Sequence, residues 1–313
     1  MYFIEKAFGT FRSASLDSWL LSLHYRGKML HFEAGARFDC HQCGLCCRTD
    51  WKIRVEPLEA ERLNLDPEDS TLPVDSGQCQ FLTEKDLCSV HGLRPVACRV
   101  FPFVIHKLPD GYHVGVSHYC PSARDNQGRL VSEHCNDISA LMEQTELPDL
   151  VTGPIPIWNG SFTGWTGYQM FEEALLCRVG EPELLRWVTG NLLSRHKEWG
   201  RCSMDDFFRP NNVVSEEAVR TASRELAVQL GADCLRQTPW CPRRLLKSLI
   251  HRKVLITQPN LVEGLALLSI LPQAVSSFRD PEEGVGVLEL ELSHGLGLTL
   301  AARRLVENAV PGD

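Results

Sequence analysis

No run of lysine or arginine occurs in this chain. Its 32 basic residues are outnumbered by 40 acidic ones, for a net charge of -8 and a pI of about 5.8. An acidic chain without a basic cluster has no general attraction for nucleic acid or for an anionic membrane surface, so neither is an expected partner. Hydrophobic runs are also short. Glu5, Lys6, Arg12 and Asp17 break up the N-terminal stretch, whose longest apolar run is Trp19-Leu20-Leu21. It does not read as a secretory signal. The long uncharged stretch from Leu150 to Phe171 holds Pro154, Pro156 and four glycines, which suits a surface loop better than a membrane span. The expected location is a reducing cytoplasm. Internal repeats, low-complexity segments and the phosphate-binding spacing Gly-x-x-x-x-Gly-Lys are missing too.

Cysteine is abundant. There are 13, and an odd total without an export signal argues against a disulfide framework. Cys135, Cys177, Cys202, Cys234 and Cys241 are scattered singly and read as small buried hydrophobes. Of these, Cys135 follows the main group most closely. The other eight lie between Cys40 and Cys120.

The first motif is Cys40-His41-Gln42-Cys43-Gly44-Leu45-Cys46-Cys47-Arg48. Two-residue gaps let one tight loop aim successive thiolates at one centre, and Gly44 permits a positive φ in that turn. Ferredoxin-type clusters use three cysteines from such a loop and a fourth from far along the chain. Adjacent side chains diverge, so Cys46 and Cys47, if both are ligands, serve different metals. The second set is Cys79, Cys88, Cys98 and Cys120, the last followed by Pro121. Arg48, Arg94 and Arg99 stand where they could offset thiolate charge. Two metals remain open: the loop spacing favours an iron–sulfur cluster, while eight thiolates could also build two tetrahedral zinc sites. The Cys-x-x-x-Cys-x-x-Cys spacing of radical S-adenosylmethionine centres is absent.

The expected fold class is α+β: a small, irregular, cysteine-rich metal-binding domain followed by an α-helical domain. Residues 1–37 form a lead-in, where Leu16, Leu20 and Leu23 suggest a short helix. Residues 38–135 form the cysteine-rich domain. Trp51 to Val55 alternates like a strand, and Pro57 opens a helix through Leu63. One hairpin turns at Glu84-Lys85-Asp86. Another joins Val100 to Lys107 with Tyr112 to Ser117 through Pro109-Asp110-Gly111. It carries His106, His113 and His118, which read as packing or solvated groups. This segment has too few apolar residues for a large core, so metal should help it fold. Residues 136–313 carry apolar positions three or four apart and should be helical, with Ser215 as a helix cap. The glycines of Gly286 to Gly297 read as interruptions in a helix rather than as a cofactor loop.

The pattern Cys-x-x-Cys-Gly-x-Cys-Cys is followed by Gly77-x-Cys79-x-Phe81-Leu82. Then come Cys88-Ser89-Val90-His91-x-x-Arg94-Pro95-x-x-Cys98-Arg99-x-Phe101-Pro102. Over residues 38–121 this resembles the CxxCxxCC cysteine-cluster family, a zinc- or iron-chelating domain. The resemblance implies metal chelation by Cys40, Cys43, Cys46, Cys47, Cys79, Cys88 and Cys98, with Cys120 aligned less firmly. It also implies a packing or hydrogen-bonding role for His91. One branch of the family is similar to flagellin lysine N-methylases, which join such a region to a largely helical segment. The expected function is therefore a metal-binding protein holding an iron–sulfur cluster of the 4Fe-4S type, or alternatively zinc. The alternative function is a metal-dependent protein lysine N-methylase using S-adenosylmethionine. A protein substrate or a redox partner would accompany either. No catalytic or S-adenosylmethionine-binding residue can be assigned.

Overall fold

The computed structural model describes residues 20–49, 51–68, 71–179, 182–232, 243–294 and 297–309. The fold is α+β, in two compact units that divide between Pro148 and Asp149.

The first unit opens on a hairpin where a helix was expected. Strand β1 (Leu20–Tyr25) pairs antiparallel with β2 (Lys28–Glu33); Leu16 lies outside the described residues. The deciding feature is Arg26-Gly27. Both have positive φ, 48° and 76°, as a two-residue turn between twisted strands requires. Alternation then puts Leu23 and Tyr25 on the same face as Leu30 and Phe32.

After the short strand β3 (Arg37–Phe38), the chain leaves this sheet. It makes helix α1 (Pro57–Arg62), the small pair β4 (Val74–Asp75) and β5 (Gln78–Cys79), and helix α2 (Val96–Val100). It returns as β6 (Phe103–Leu108) and β7 (Gly111–Val116), the second hairpin read from the sequence. Val100 belongs to α2 rather than to that hairpin. The strand order is β1-β2-β7-β6, with β2 and β7 parallel. Residues Cys40 to Cys98 are thus an excursion between two hairpins of one sheet. Next come α3 (Pro121–Arg124), β8 (Arg129–Leu130, paired with β3) and α4 (Cys135–Gln144).

The apolar face of the sheet (Leu30, Phe32, Phe103, Val114, Val116) packs with Ile138 and Leu141 of α4. The sequence reading set boundaries at 37/38 and 135/136, whereas the compact unit runs from 20 to 148. A sheet with one apolar face needs a cover, and helix α4 supplies it. Among its described residues, the excursion buries only Val55, Ala60, Leu63 and Leu72 as its own core. Trp51 to Val55 is not a strand; Arg54 makes a single bridge with Thr71. The turn at Glu84-Lys85-Asp86 forms as expected, with Leu82 bridged to Cys88.

The second unit begins with a hairpin inside the stretch read as a loop, β9 (Ile155–Trp158) and β10 (Ser161–Thr163). Asn159-Gly160 turns it with φ of 40° and 78°. Helices follow: α5 (Trp165–Arg178), α6 (Pro182–Arg195), α7 (Met204–Phe207), α8 (Glu216–Gln229), α9 (Arg243–His251), α10 (Val254–Thr257), α11 (Leu261–Ser276), α12 (Pro281–His294) and α13 (Gly297–Ala309). Helix α11 is buried almost all round and packs against α6, α8 and α13. Ser215 caps α8 as expected, its Oγ accepting from the Ala218 amide at 3.1 Å.

Candidate metal centre

The loop Cys40 to Arg48 is shaped at Gly44, where φ is 69°. The chain then makes one 3-10 turn, Leu45–Cys47, with the Cys47 amide donating to the Gly44 carbonyl at 2.9 Å. Arg48 pairs with Asp86, which ties this loop to the 82–88 hairpin. That hairpin is closed by Thr83 N–H to Leu87 O and by Ser89 N–H to Phe81 O, both 2.9 Å, and it carries Cys88. Cys79 sits on β5 and Cys98 on α2. The carboxylate of Glu59 joins two helix starts by accepting from the Glu56 amide (3.2 Å) and the Val96 amide (2.8 Å). It therefore fixes α2, and Cys98 with it, against α1. Cys120 precedes α3, whose first residue is Pro121.

Cys40 and Cys43 are exposed, Cys46, Cys47, Cys79, Cys88 and Cys98 half-buried, and Cys120 buried. Their electrostatic neighbours fall into two groups that meet at Cys46. Cys47 takes hydrogen bonds from Cys46 and Cys88 and lies near Arg94 and Arg48. Cys98 feels Cys47, Cys79 and Cys88, and Cys88 feels Cys47 and Cys79. Cys120 feels Cys43 and Cys40 instead. Cys46 feels Cys98 and Cys40 as well as Cys47. Cys40 Sγ also lies 3.6 Å from His91 Nε2, consistent with a hydrogen-bonding role for His91.

These thiols resist ionising together. The hydrogen bond to Cys47, then burial, push Cys46 far above the ordinary thiol value. Burial and the neighbouring thiols raise Cys98 to about 12. Burial lifts Cys120 to about 11 against the pull of the Ala123 and Ser122 amides. Burial raises Cys79 and Cys88 as well. Cys47 moves the other way, drawn down to about 7 chiefly by the hydrogen bond from Cys46. A cation would relieve this conflict, since metal binding favours thiolates and releases their protons. The donor set thus fits a thiophilic metal.

Residues 39–136 match the CxxCxxCC family, described as a putative zinc- or iron-chelating domain. This segment is similar to the CxxCxxCC domain and takes that name from the likeness. The match supports metal chelation and leaves zinc and iron as the candidates. No curated protein and no solved structure matches the chain, so the likeness to lysine N-methylases rests on layout alone. Among the described residues, no helix is long and apolar enough to cross a membrane.

The structure corrects some expectations around the CxxCxxCC domain. Arg48 and Arg94 lie near Cys47, but Arg99 hydrogen-bonds the Gln144 side chain at 2.9 Å. Cys177 is exposed rather than a buried hydrophobe, because it falls on the outer side of α5. Cys135 and Cys202 are half-buried; Cys234 and Cys241 lie outside the described residues. One feature was missed. Trp51, Phe101 and Tyr119 form an aromatic group with ring centroids 5.1–6.2 Å apart, and Tyr119 feels Cys46 and Cys43. Three aromatics so far apart in sequence give no periodic signal.

Proposed function

We propose that the CxxCxxCC domain holds a 4Fe-4S cluster on Cys40, Cys43, Cys46 and Cys120, and that Cys47, Cys79, Cys88 and Cys98 form a second four-thiolate set. The observation that carries this reading is the sorting of the thiols by their neighbours on either side of the hydrogen-bonded Cys46–Cys47 pair, whose closeness departs from the divergence expected of adjacent side chains. Cys47 belongs with Cys79, Cys88 and Cys98, while Cys40 and Cys43 are the thiol neighbours of Cys120. The first set then has three cysteines from one loop and a distant fourth followed by proline, an arrangement suited to a cluster.

Thiol spacing also supports iron–sulfur over zinc at the first set. A four-thiolate zinc site needs sulfurs roughly 3.8 Å apart, given its bond length and tetrahedral geometry. Among the described residues, pairs of cysteines meet this spacing, as Cys46 and Cys47 do, but no three cysteine sulfurs lie within 4.8 Å of one another in either set. A cluster distributes its thiolates over several irons and suits a wider spread. When bound, it would supply one-electron chemistry. Tyr119, held by Trp51 and Phe101, would stand beside the half-buried Cys46, and solvent exposure is one of the levers on a cluster's potential. The partner on this reading is a redox protein or a protein substrate.

The test is anaerobic purification of the full chain followed by iron, zinc and acid-labile sulfide analysis. Iron with matching sulfide, and a broad visible absorption that bleaches on reduction, is the expected result. Stoichiometric zinc without sulfide would overturn the cluster and leave chelation standing. The lysine N-methylase reading further requires S-adenosylmethionine binding, which calorimetry on the metal-replete protein measures directly.

A further inference from the structure

A second group of metal-ligating side chains lies on the sheet, outside the cysteine region. The strand register puts Ser22, His31, His113 and His106 in one transverse row across β1, β2, β7 and β6. Directly paired residues share a face, and this is the face opposite Leu30, Phe32 and Val114. His31 and His113 are both buried, with ring centroids 4.5 Å apart. Asp110, in the β6–β7 turn, completes the group.

We propose that His31, Asp110 and His113 form a binding site for a divalent transition-metal ion of the zinc type, separate from the cysteines. His113 Nε2 lies 3.1 and 3.2 Å from the two carboxylate oxygens of Asp110. His31 Nε2 lies 3.8 Å from Asp110 Oδ2. One ligand atom from each residue lies within 4.8 Å of the other two. Tetrahedral zinc with N and O ligands needs edges of roughly 3.4 Å, so small side-chain adjustments would admit the ion. Two imidazoles and a carboxylate suit zinc and leave a position for water or another ligand.

The surroundings hold these ligands in place. Gly111 has φ 138°, and a Cβ there would lie 2.6 Å from the Met29 carbonyl oxygen. Its bare backbone lets β7 close on β2, which puts His113 beside His31. On the far side of His31, Ser22 Oγ lies 2.8 Å from Nδ1. His31 Nε2 faces the Asp110 carbonyl oxygen at 3.2 Å, so Nε2 carries the proton and Nδ1 accepts from Ser22. A metal at Nε2 requires the proton on Nδ1. The Ser22 hydroxyl can then accept instead of donate, so it holds the ring in either tautomer.

A hydrogen-bonded His-Asp-His group without metal is the competing account, and cobalt(II) separates the two. The experiment uses the full chain with its cysteine metal already bound. One further equivalent of cobalt should bind, giving weak visible ligand-field bands without the sulfur-to-cobalt charge transfer of a thiolate site. Asp110→Asn and His31→Gln should each weaken that binding at least tenfold while the iron, zinc and sulfide content stays at the wild-type level. Zinc should raise the melting temperature of the wild type and not that of Asp110→Asn, a readout that a purely hydrogen-bonded role would not move. No further cobalt in the wild type would overturn the site, as would equal cobalt binding by both variants. The result is independent of which metal the cysteines hold.

Discussion

Gly44 approaches the backbone of Asp86 so closely that no side chain fits between them. A Cβ on Gly44 would fall inside the van der Waals shell of the Asp86 carbonyl oxygen and 2.8 Å from Leu82 Cδ1. The first cysteine loop thus docks on the 82–88 hairpin through bare backbone, with the Arg48–Asp86 pair beside it. Gly44→Ala should lower metal content and destabilise the first unit. The left-handed φ alone costs about 1–2 kcal/mol for a residue with a Cβ, and the clash adds to it. Metal analysis and a thermal melt check this; wild-type values for both would mean that the loop docks otherwise.

Cys120→Ser and Cys88→Ser should remove different metal. The first should abolish the cluster spectrum and spare the Cys47, Cys79, Cys88 and Cys98 set, and the second should do the reverse. Loss of all metal in both variants would indicate one centre built by the whole set. Cys177→Ser, at an exposed position, should keep full metal and change stability by no more than about 0.5 kcal/mol.

Chelation should loosen the excursion first. It has only a small core of its own, so metal removal takes away much of what orders it. Hydrogen exchange after metal stripping should speed up from Cys40 to Cys98 and stay slow in α11, which is buried in the core of the second unit. Equal protection in both regions would refute this.

In the second unit, Lys253 Nζ donates to Glu172 Oε2, and the Tyr168 hydroxyl donates to Glu172 Oε1 at 2.5 Å. All three side chains are buried. Lys253→Met strands a buried carboxylate and should cost about 3–5 kcal/mol. Adding Glu172→Gln removes the charge and keeps an acceptor for Tyr168, so the double variant should be more stable than either single one. Urea unfolding followed by near-ultraviolet dichroism measures this, and simple additivity would show that the pair is uncoupled.

A pH effect follows from Asp206. The Ser203 hydroxyl and amide both donate to its Oδ2 at 2.9 Å and hold its pKa below the usual 3.8. A carboxylate depressed in the folded state adds stability above its unfolded value, and this is lost as pH falls through the folded value. Ser203→Ala, which removes the hydroxyl that donates to this carboxylate, should cost about 1 kcal/mol at neutral pH. The Asp206 share of that difference should shrink below about pH 4. Urea midpoints across that range would show whether it does.

The sequence by itself determined the metal-chelating segment, the β6–β7 hairpin and most helices of the second unit. Each depends on local information: two-residue cysteine gaps, a Pro-Asp-Gly turn, apolar residues three or four apart. It misread Leu20–Tyr25 as helical because Leu20 and Leu23 also fit a helix, and the Arg26-Gly27 turn with its partner strand outweighed that spacing. It placed Cys177 inside because a lone cysteine carries no sign of which side of its helix it occupies. Only the tertiary structure decided that Cys47 turns toward Cys79, Cys88 and Cys98 while Cys120 comes to Cys40 and Cys43. Only it brought His31 to His113, through the parallel pairing of β2 with β7 across the whole cysteine excursion. Pairings of that kind are set by strand order and by where a glycine lets two backbones meet, and neither leaves a periodic mark in the sequence.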